Sequence, residues 1–286
     1  MCNHDIDRGH CVGDSGGPLF IKIGYHYLQI GVASFGVPSQ CGRFQGGFAR
    51  LTPNVLMWIR KMMRDEDPED EVPLEYKKIS LMPEPGCGKM IIDPQIPHLQ
   101  YPWLVDVCVD YEEDRTDLSG NKITCSEMCK GTLITKRYVL TSASCVKRSD
   151  ENNTVVFFGS KDIQDSLSSL DYKFLAKNEE IKTQGGLIGV GKWNTPIKIH
   201  PDYSPVGTEE YMHTPDVALL KLETFLDFDL SINHICLPPL NKFGPEYDYF
   251  NQKTIIGTKN GFYSGEKEVT VKSKEWCQSR LNFMQR

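Results

Sequence analysis

From residue 87 onward, short runs of β-branched and aromatic residues alternate with clusters of Gly, Asn, Asp and Ser. Residues 104–107 (LVDV), 133–134 (LI), 138–140 (YVL), 154–158 (TVVFF), 217–220 (VALL) and 254–256 (TII) each predict a strand. No long helical period interrupts them, so the pattern is all-β, a sandwich or a barrel. The first 63 residues read as strands too, at 18–23 and 28–32, among glycine-rich turns. They end differently. Thr52 can cap a helix whose first position Pro53 occupies. Val55, Trp58, Ile59 and Met62 then recur at i, i+3, i+4 and i+7, which makes one apolar stripe. Arg60, Lys61 and Arg64 set positive charge near the helix C-terminus, where the dipole favours it.

Six acids and a proline fill positions 65–71. Such a run repels itself and has nothing to bury, which predicts a solvated linker over 64–86, ending at Gly86-Cys87-Gly88. The chain therefore divides into 1–63, 64–86 and 87–286, with no internal repeat.

Composition narrows the function. At 286 residues the chain can form one large β domain with a linker, and 40% hydrophobic content excludes wholesale disorder. A net charge of −6 without a basic cluster argues against a nucleic-acid partner. No apolar run reaches the roughly 18 residues of a membrane span. The ten cysteines include no CxxC pair and no zinc-ligand spacing. They read as a disulfide framework, hence an oxidising, extracellular setting. Residues 1–20 carry Asp5, Asp7 and Arg8 and lack the plan of a signal peptide, so export needs an upstream start or another explanation. Asn152-Asn153-Thr154 is a glycosylation sequon in a polar turn, in keeping with secretion. No EF-hand spacing is present, and neither a metal nor a cofactor is expected.

The sharpest motif is Cys11-Val12-Gly13-Asp14-Ser15-Gly16-Gly17-Pro18-Leu19. A serine attacks a carbonyl well only where backbone N–H groups face the developing oxyanion. Flanking glycines permit a tight turn and a close approach of substrate to backbone. The amides of Gly13 and Ser15 are the natural donors. The stretch also satisfies the looser Gly-x-Ser-x-Gly pattern of the α/β-hydrolases, which requires a helix after the serine. Here strands follow, and that reading fails.

This stretch resembles the active-serine signature of the chymotrypsin/trypsin-like (S1) serine proteases. Ser34-Phe35-Gly36, Cys41, Gly46-Gly47-Phe48-Ala49-Arg50-Leu51 and the apolar helix look like that family's last strands and closing helix. Residues 101–105, 129–134, 138–145, 199–203, 216–222 and 235–238 resemble its earlier segments, in family order. The resemblance implies a chymotrypsin-like double β-barrel, assembled from two complementary pieces in permuted order. It implies Ser15 as nucleophile, Asp216 as the orienting aspartate, and Gly13 and Ser15 as the oxyanion hole. The histidine position, directly before Cys145, holds Ser144. Serine has no proton-accepting state near neutral pH, so peptide hydrolysis is expected to be lost. His213, near Asp216, could replace it only if its ring reached Ser15. His200 reads as a structural residue, and His4 and His10 as surface or pocket residues.

The resemblance also implies activation by cleavage at Lys89, with the new Met90 amine meeting Asp14. Ile92 and Asp93 stand where two glycines ease that insertion, and Asp93 brings a second negative charge, so a never-activated domain is expected. Gly9 should floor the substrate pocket, with Ser34, Phe35, Gly36 and Gly46 or Gly47 around it. No acid stands at that floor, which favours an apolar pocket.

By family pattern Cys129 pairs with Cys145, Cys87 with Cys236, Cys11 with Cys41, and Cys2 with Cys277. Cys108 and Cys125 are extra and could staple a polar loop at 112–124. Two arrangements remain: a permuted whole domain, or a piece cut from a tandem array. The complementary content predicts that 1–63 docks onto 87–286. The functional expectation is a secreted protease homologue that binds a protein, a peptide or a partner protease. The alternative is an active endopeptidase using Ser15, Asp216 and an unidentified base.

Overall fold

Both ends of the chain contribute strands to one barrel. In chain order the strands are β1 (Cys2–Asn3), β2 (Pro18–Ile23), β3 (His26–Phe35), β4 (Gly47–Arg50), β5 (Leu104–Asp114), β6 (Lys122–Leu133) and β7 (Tyr138–Thr141). Then come β8 (Val155–Phe158), β9 (Gly186–Gly189), β10 (Ile197–Ile199), β11 (Ala218–Lys221), β12 (Lys253–Gly257) and β13 (Glu266–Lys272). Helix α1 spans Pro53–Glu66 and α2 is a single turn, Ala143–Val146. The computed structural model describes residues 1–3, 13–36, 46–66, 86–90, 101–114, 122–146, 154–158, 186–189, 197–205, 214–222, 226, 228, 232–240, 253–257, 266–273, 275–277 and 279.

Strands β1-β13-β12-β2-β3-β4 close a barrel, and the other seven form an antiparallel sheet in the order β10-β11-β7-β6-β5-β8-β9. Two antiparallel sheets with few, short helices are the chymotrypsin-like double-barrel class. Barrel closure removes exposed strand edges, and here it needs β1–β4 and β12–β13 together. Cys2 is bonded to Cys277 across that seam, with Cα atoms 5.9 Å apart. Cys87–Cys236 and Cys129–Cys145 are also bonded, and Cys108 is disulfide-bonded. The expected Cys11–Cys41 pair and the side chain of Cys125 lie outside the described residues.

Period-2 alternation divides β2 between two cores. Leu19 and Ile21 join Leu28, Ile30, Phe48, Val269 and Val271. Phe20 joins Leu51, Leu56 and Ile59 in a larger cluster with Trp103, Leu133, Leu140 and Leu219. Four rings knit that cluster: Phe20, Tyr27, Tyr101 and Trp103 lie pairwise 5.3–5.9 Å apart, several edge to face. Such pairs add about 0.5–1.5 kcal/mol each beyond the area they bury. Residues on both sides of the linker thus share one core.

Helix α1 begins as its sequence requires. The Val55 amide donates to Thr52 Oγ1 at 3.4 Å and the Leu56 amide to the Thr52 carbonyl at 2.9 Å. Val55, Leu56 and Ile59 are buried, so the inward face is wider than the expected stripe. The helix runs to Glu66, past the expected linker start at 64. Nothing in Arg64, Asp65 or Glu66 breaks a helix, and the first residue disfavoured by a following proline is Asp67. A second difference lies at 112–124. Residues 112–114 and 122–124 are strand, with Glu112 opposite Thr124 and Asp114 opposite Lys122. The hairpin therefore continues into this mostly polar stretch, where backbone pairing does not depend on apolar side chains.

The Trp58 ring packs on His200, centroids 4.9 Å apart. His200 is 5% exposed, and burial holds its pKa below the ordinary 6.5, partly opposed by Asp202. Its Nδ1 accepts from the Asp202 amide at 3.2 Å. The unfolded chain takes up a proton near pH 6.5 while the folded chain does not. The stability His200 contributes is therefore full above about pH 6.5 and lost as pH falls from there towards the folded value. Urea unfolding of the protein and of His200→Asn should show a shallower acid slope in the variant. An identical slope would remove His200 from the account.

Candidate active site

Ser15 stands on a turn that only glycines can make. Gly13 and Gly16 have φ of 90° and 83°, in the left-handed region that L side chains disfavour. The turn closes through the Gly17 amide on the Asp14 carbonyl at 2.9 Å. It is bracketed from both sheets. The Ser15 carbonyl accepts from the Lys130 amide of β6 at 2.8 Å, and the Gly16 amide donates to the Ala33 carbonyl of β3 at 2.8 Å. A Cβ at Gly16 would lie 2.1 Å from Thr141 Oγ1 and 2.2 Å from the Lys130 carbonyl. Backbone contact that close leaves room for hydrogen alone.

Asp216, just before β11, is 2% exposed and accepts hydrogen bonds from Ser34 and Ser144. The Ser34 hydroxyl donates to Oδ2 at 2.6 Å, the Ser144 amide to Oδ1 at 2.7 Å, and the Ser144 hydroxyl to Oδ2 at 2.8 Å. Buried carboxylates persist when they are paired in this way. Ser144 is placed by α2, which follows β7 and is tied to β6 through Cys129–Cys145. The two groups meet in one place. A Cβ at Gly16 would be 3.1 Å from the Ser142 amide, two residues before Ser144. Ala33, bonded to Gly16, directly precedes Ser34.

The remaining sequence-predicted residues fall as follows. Asp14 is fully buried. Phe35 is half-buried, Gly36 exposed and Gly46 buried. The Phe35 ring covers Gly47, where a Cβ would meet it at 2.1 Å. Lys89 is exposed, and the Met90 sulfur accepts from the Tyr27 hydroxyl at 3.5 Å. Gly9, His4, His10, His213, Ile92 and Asp93 lie outside the described residues.

Sequence reasoning missed the brackets. The Lys130 amide holds the serine turn, and the Thr141 hydroxyl, packed close to Gly16, donates to the Lys130 carbonyl at 2.7 Å. Lys130 is also ion-paired with Asp106, directly opposite it on β5, and both side chains are largely buried. An acid between two valines at 105–107 was the one visible sign of that pair. Ser34, expected beside the pocket, donates to Asp216, a bond the sequence did not suggest.

Fold and site define a chymotrypsin-like protein of serine-peptidase type. The family model described as Trypsin matches residues 1–59 and 97–283, most of the chain. The chain belongs to the trypsin family. It is similar to Phenoloxidase-activating factor 3 of Holotrichia diomphalia, 30% identical over 142 residues, covering 49% of this chain and 34% of that protein. Spermosin of Halocynthia roretzi is 29% identical over 134 residues, 46% of this chain and 29% of its own length. CLIP domain-containing serine protease B4 of Anopheles gambiae is 23% identical over 171 residues, 57% and 41% respectively. The chain thus spans well under half the length of each of these relatives.

Proposed function

We propose that this chain is a secreted trypsin-family protease homologue that binds a protein or peptide in its cleft and cuts it slowly or not at all. The observation that carries the reading is the Ser144 hydroxyl 2.8 Å from Asp216 Oδ2. Attack by Ser15 requires a group to take its proton, a role normally filled by an imidazole held on a carboxylate. In this reading an alcohol occupies that place, and a neutral hydroxyl is far too weak a base to take the proton at neutral pH. Asp216 keeps its orienting position with nothing to orient. The glycine turn, taken as the oxyanion hole, leaves at most about 10³–10⁴-fold catalysis over water.

In the same reading residues 1–63 and 87–286 are complementary parts of one domain in permuted order. The shared core supports this. Cysteine pairs support an oxidising compartment, and the relatives' names (an activating factor, a CLIP-domain protease) suit a regulatory or partner-binding role. The competing reading is an active endopeptidase with a base outside the described residues. A fluorophosphonate probe separates them. We expect Ser15 to label at least about 10²-fold more slowly than the serine of an active family member. Brisk labelling of Ser15 would establish an activated serine and sink the silent reading.

A further inference from the structure

Asp216 is buried, but the two residues whose hydroxyls meet its Oδ2, Ser34 and Ser144, are half-buried and so reach solvent. We propose that the cleft selects peptides that carry a histidine beside the bond to be cut, and that the peptide's own imidazole serves as the base that Ser144 cannot be. This inference rests on the reading above, in which Ser144 stands where an imidazole would serve.

Three observations fit an imidazole to this place. The Ser144 hydroxyl has a second partner, for Ser142 Oγ lies 3.4 Å away against 2.8 Å for Asp216 Oδ2. Turning the hydroxyl towards Ser142 gives up Oδ2 without leaving its proton unbonded. Second, Asp216 stays fixed when that happens. The Ser144 amide still donates to Oδ1 at 2.7 Å and the Ser34 hydroxyl to Oδ2 at 2.6 Å. An incoming ring N–H therefore meets an oriented acceptor. Third, the serine turn is close at hand, and Ser15 is itself half-buried. A Cβ at Gly16 would lie 3.1 Å from the Ser142 amide, and Ala33, bonded to Gly16, directly precedes Ser34. The proposal requires the ring to bridge Asp216 Oδ2 and the Ser15 hydroxyl.

The proton transfers balance. One ring nitrogen donates its N–H to Asp216. The other takes the Ser15 hydroxyl proton as Oγ bonds to the carbonyl carbon and the carbonyl π pair moves to oxygen. The imidazolium returns that proton to the leaving amine as the C–N bond breaks. Water then attacks the acyl ester and gives a proton to the ring, and Ser15 Oγ recovers it as the acid departs. Both steps need the ring, so the histidine must lie in the half of the peptide that stays attached to Ser15. A ring on a bound peptide is held less firmly than one on the chain, so its gain is smaller than that of a built-in base.

The test compares two peptides that differ only in the residue preceding the one whose carbonyl is attacked, histidine in one and glutamine in the other. The full chain is used both uncut and cut at Lys89. We expect the histidine peptide to be cleaved at least about tenfold faster, with the gain in kcat rather than KM. Asp216→Asn should remove most of that preference, and Ser15→Ala should abolish cleavage of both peptides. In Ser144→His the preference should vanish, because the chain then carries its own ring. Equal, slow cleavage of the two peptides by both forms of the wild type would overturn the inference and leave the silent reading standing. A preference that survives in Ser144→His or Ser15→Ala would also overturn it, since the histidine then acts elsewhere. Brisk, equal cleavage of both peptides would sink the silent reading itself, and this inference with it.

Discussion

Replacing Ser144 by histidine should raise turnover of peptide amides by about 10²–10⁴-fold, the usual contribution of a positioned general base. On the reading proposed above, Asp216 is the carboxylate that would hold the imidazole. Asp216 is buried and fixed by Ser34 and by the Ser144 amide. The Ser144 hydroxyl already donates to Oδ2, so the side chain leaves this backbone position towards the carboxylate. An imidazole N–H from the same Cα meets the same acceptor. The prediction requires its far nitrogen to reach Ser15, whose turn lies close to Thr141 and Ser142.

Two controls isolate the base. Ser144→Ala should leave the low starting rate unchanged. Adding Asp216→Asn to Ser144→His should cancel most of the gain, because loss of the orienting carboxylate costs about 10⁴-fold in such systems. The assay is run before and after cleavage at Lys89, which is exposed. A gain seen only after cleavage assigns a second block to activation. A starting protein that already matches the Ser144→His variant would show that the missing base is not the defect.

The chain's β character was legible because strands announce themselves locally. The run at 138–140 is strand over Tyr138–Thr141, and that at 254–256 over Lys253–Gly257. The turn at Gly13–Gly17 was legible for a different reason: positive φ and contact with backbone oxygen demand glycine. Less local features left weaker traces. Residues 112–114 and 122–124 look like loop because they are polar, yet pairing across the hairpin satisfies their backbone. No short-range pattern announces that Lys130 holds Ser15, since the bond uses an amide that any residue but proline would supply. Ser34 illustrates the same limit: a hydroxyl's partner is chosen by tertiary packing, here a carboxylate 182 residues away in sequence.

Removing the Cys2–Cys277 bridge should be strongly damaging to the fold. It joins residues 275 apart, and even by the shorter route through Cys87–Cys236 it closes a loop of about 125 residues, worth roughly 4–5 kcal/mol of unfolded-state entropy. That is a large share of the roughly 5–15 kcal/mol typical of a folded protein. Strand β1 is only two residues long and pairs with both β13 and β4, so backbone pairing alone holds the seam weakly. We expect Cys2→Ser/Cys277→Ser to melt about 8–20 °C lower. A protease cut in the acidic linker gives the sharper result. The cut wild-type chain should stay one disulfide-linked particle with its β signal intact, because the two pieces share the Phe20–Trp103 core. The cut double variant should separate on mild denaturation and fail to recover, since a lone four-stranded piece exposes edges and apolar faces. Wild-type protein with Cys2 and Cys277 both free, or a double variant with unchanged melting, would mean that the two pieces do not fold as one domain.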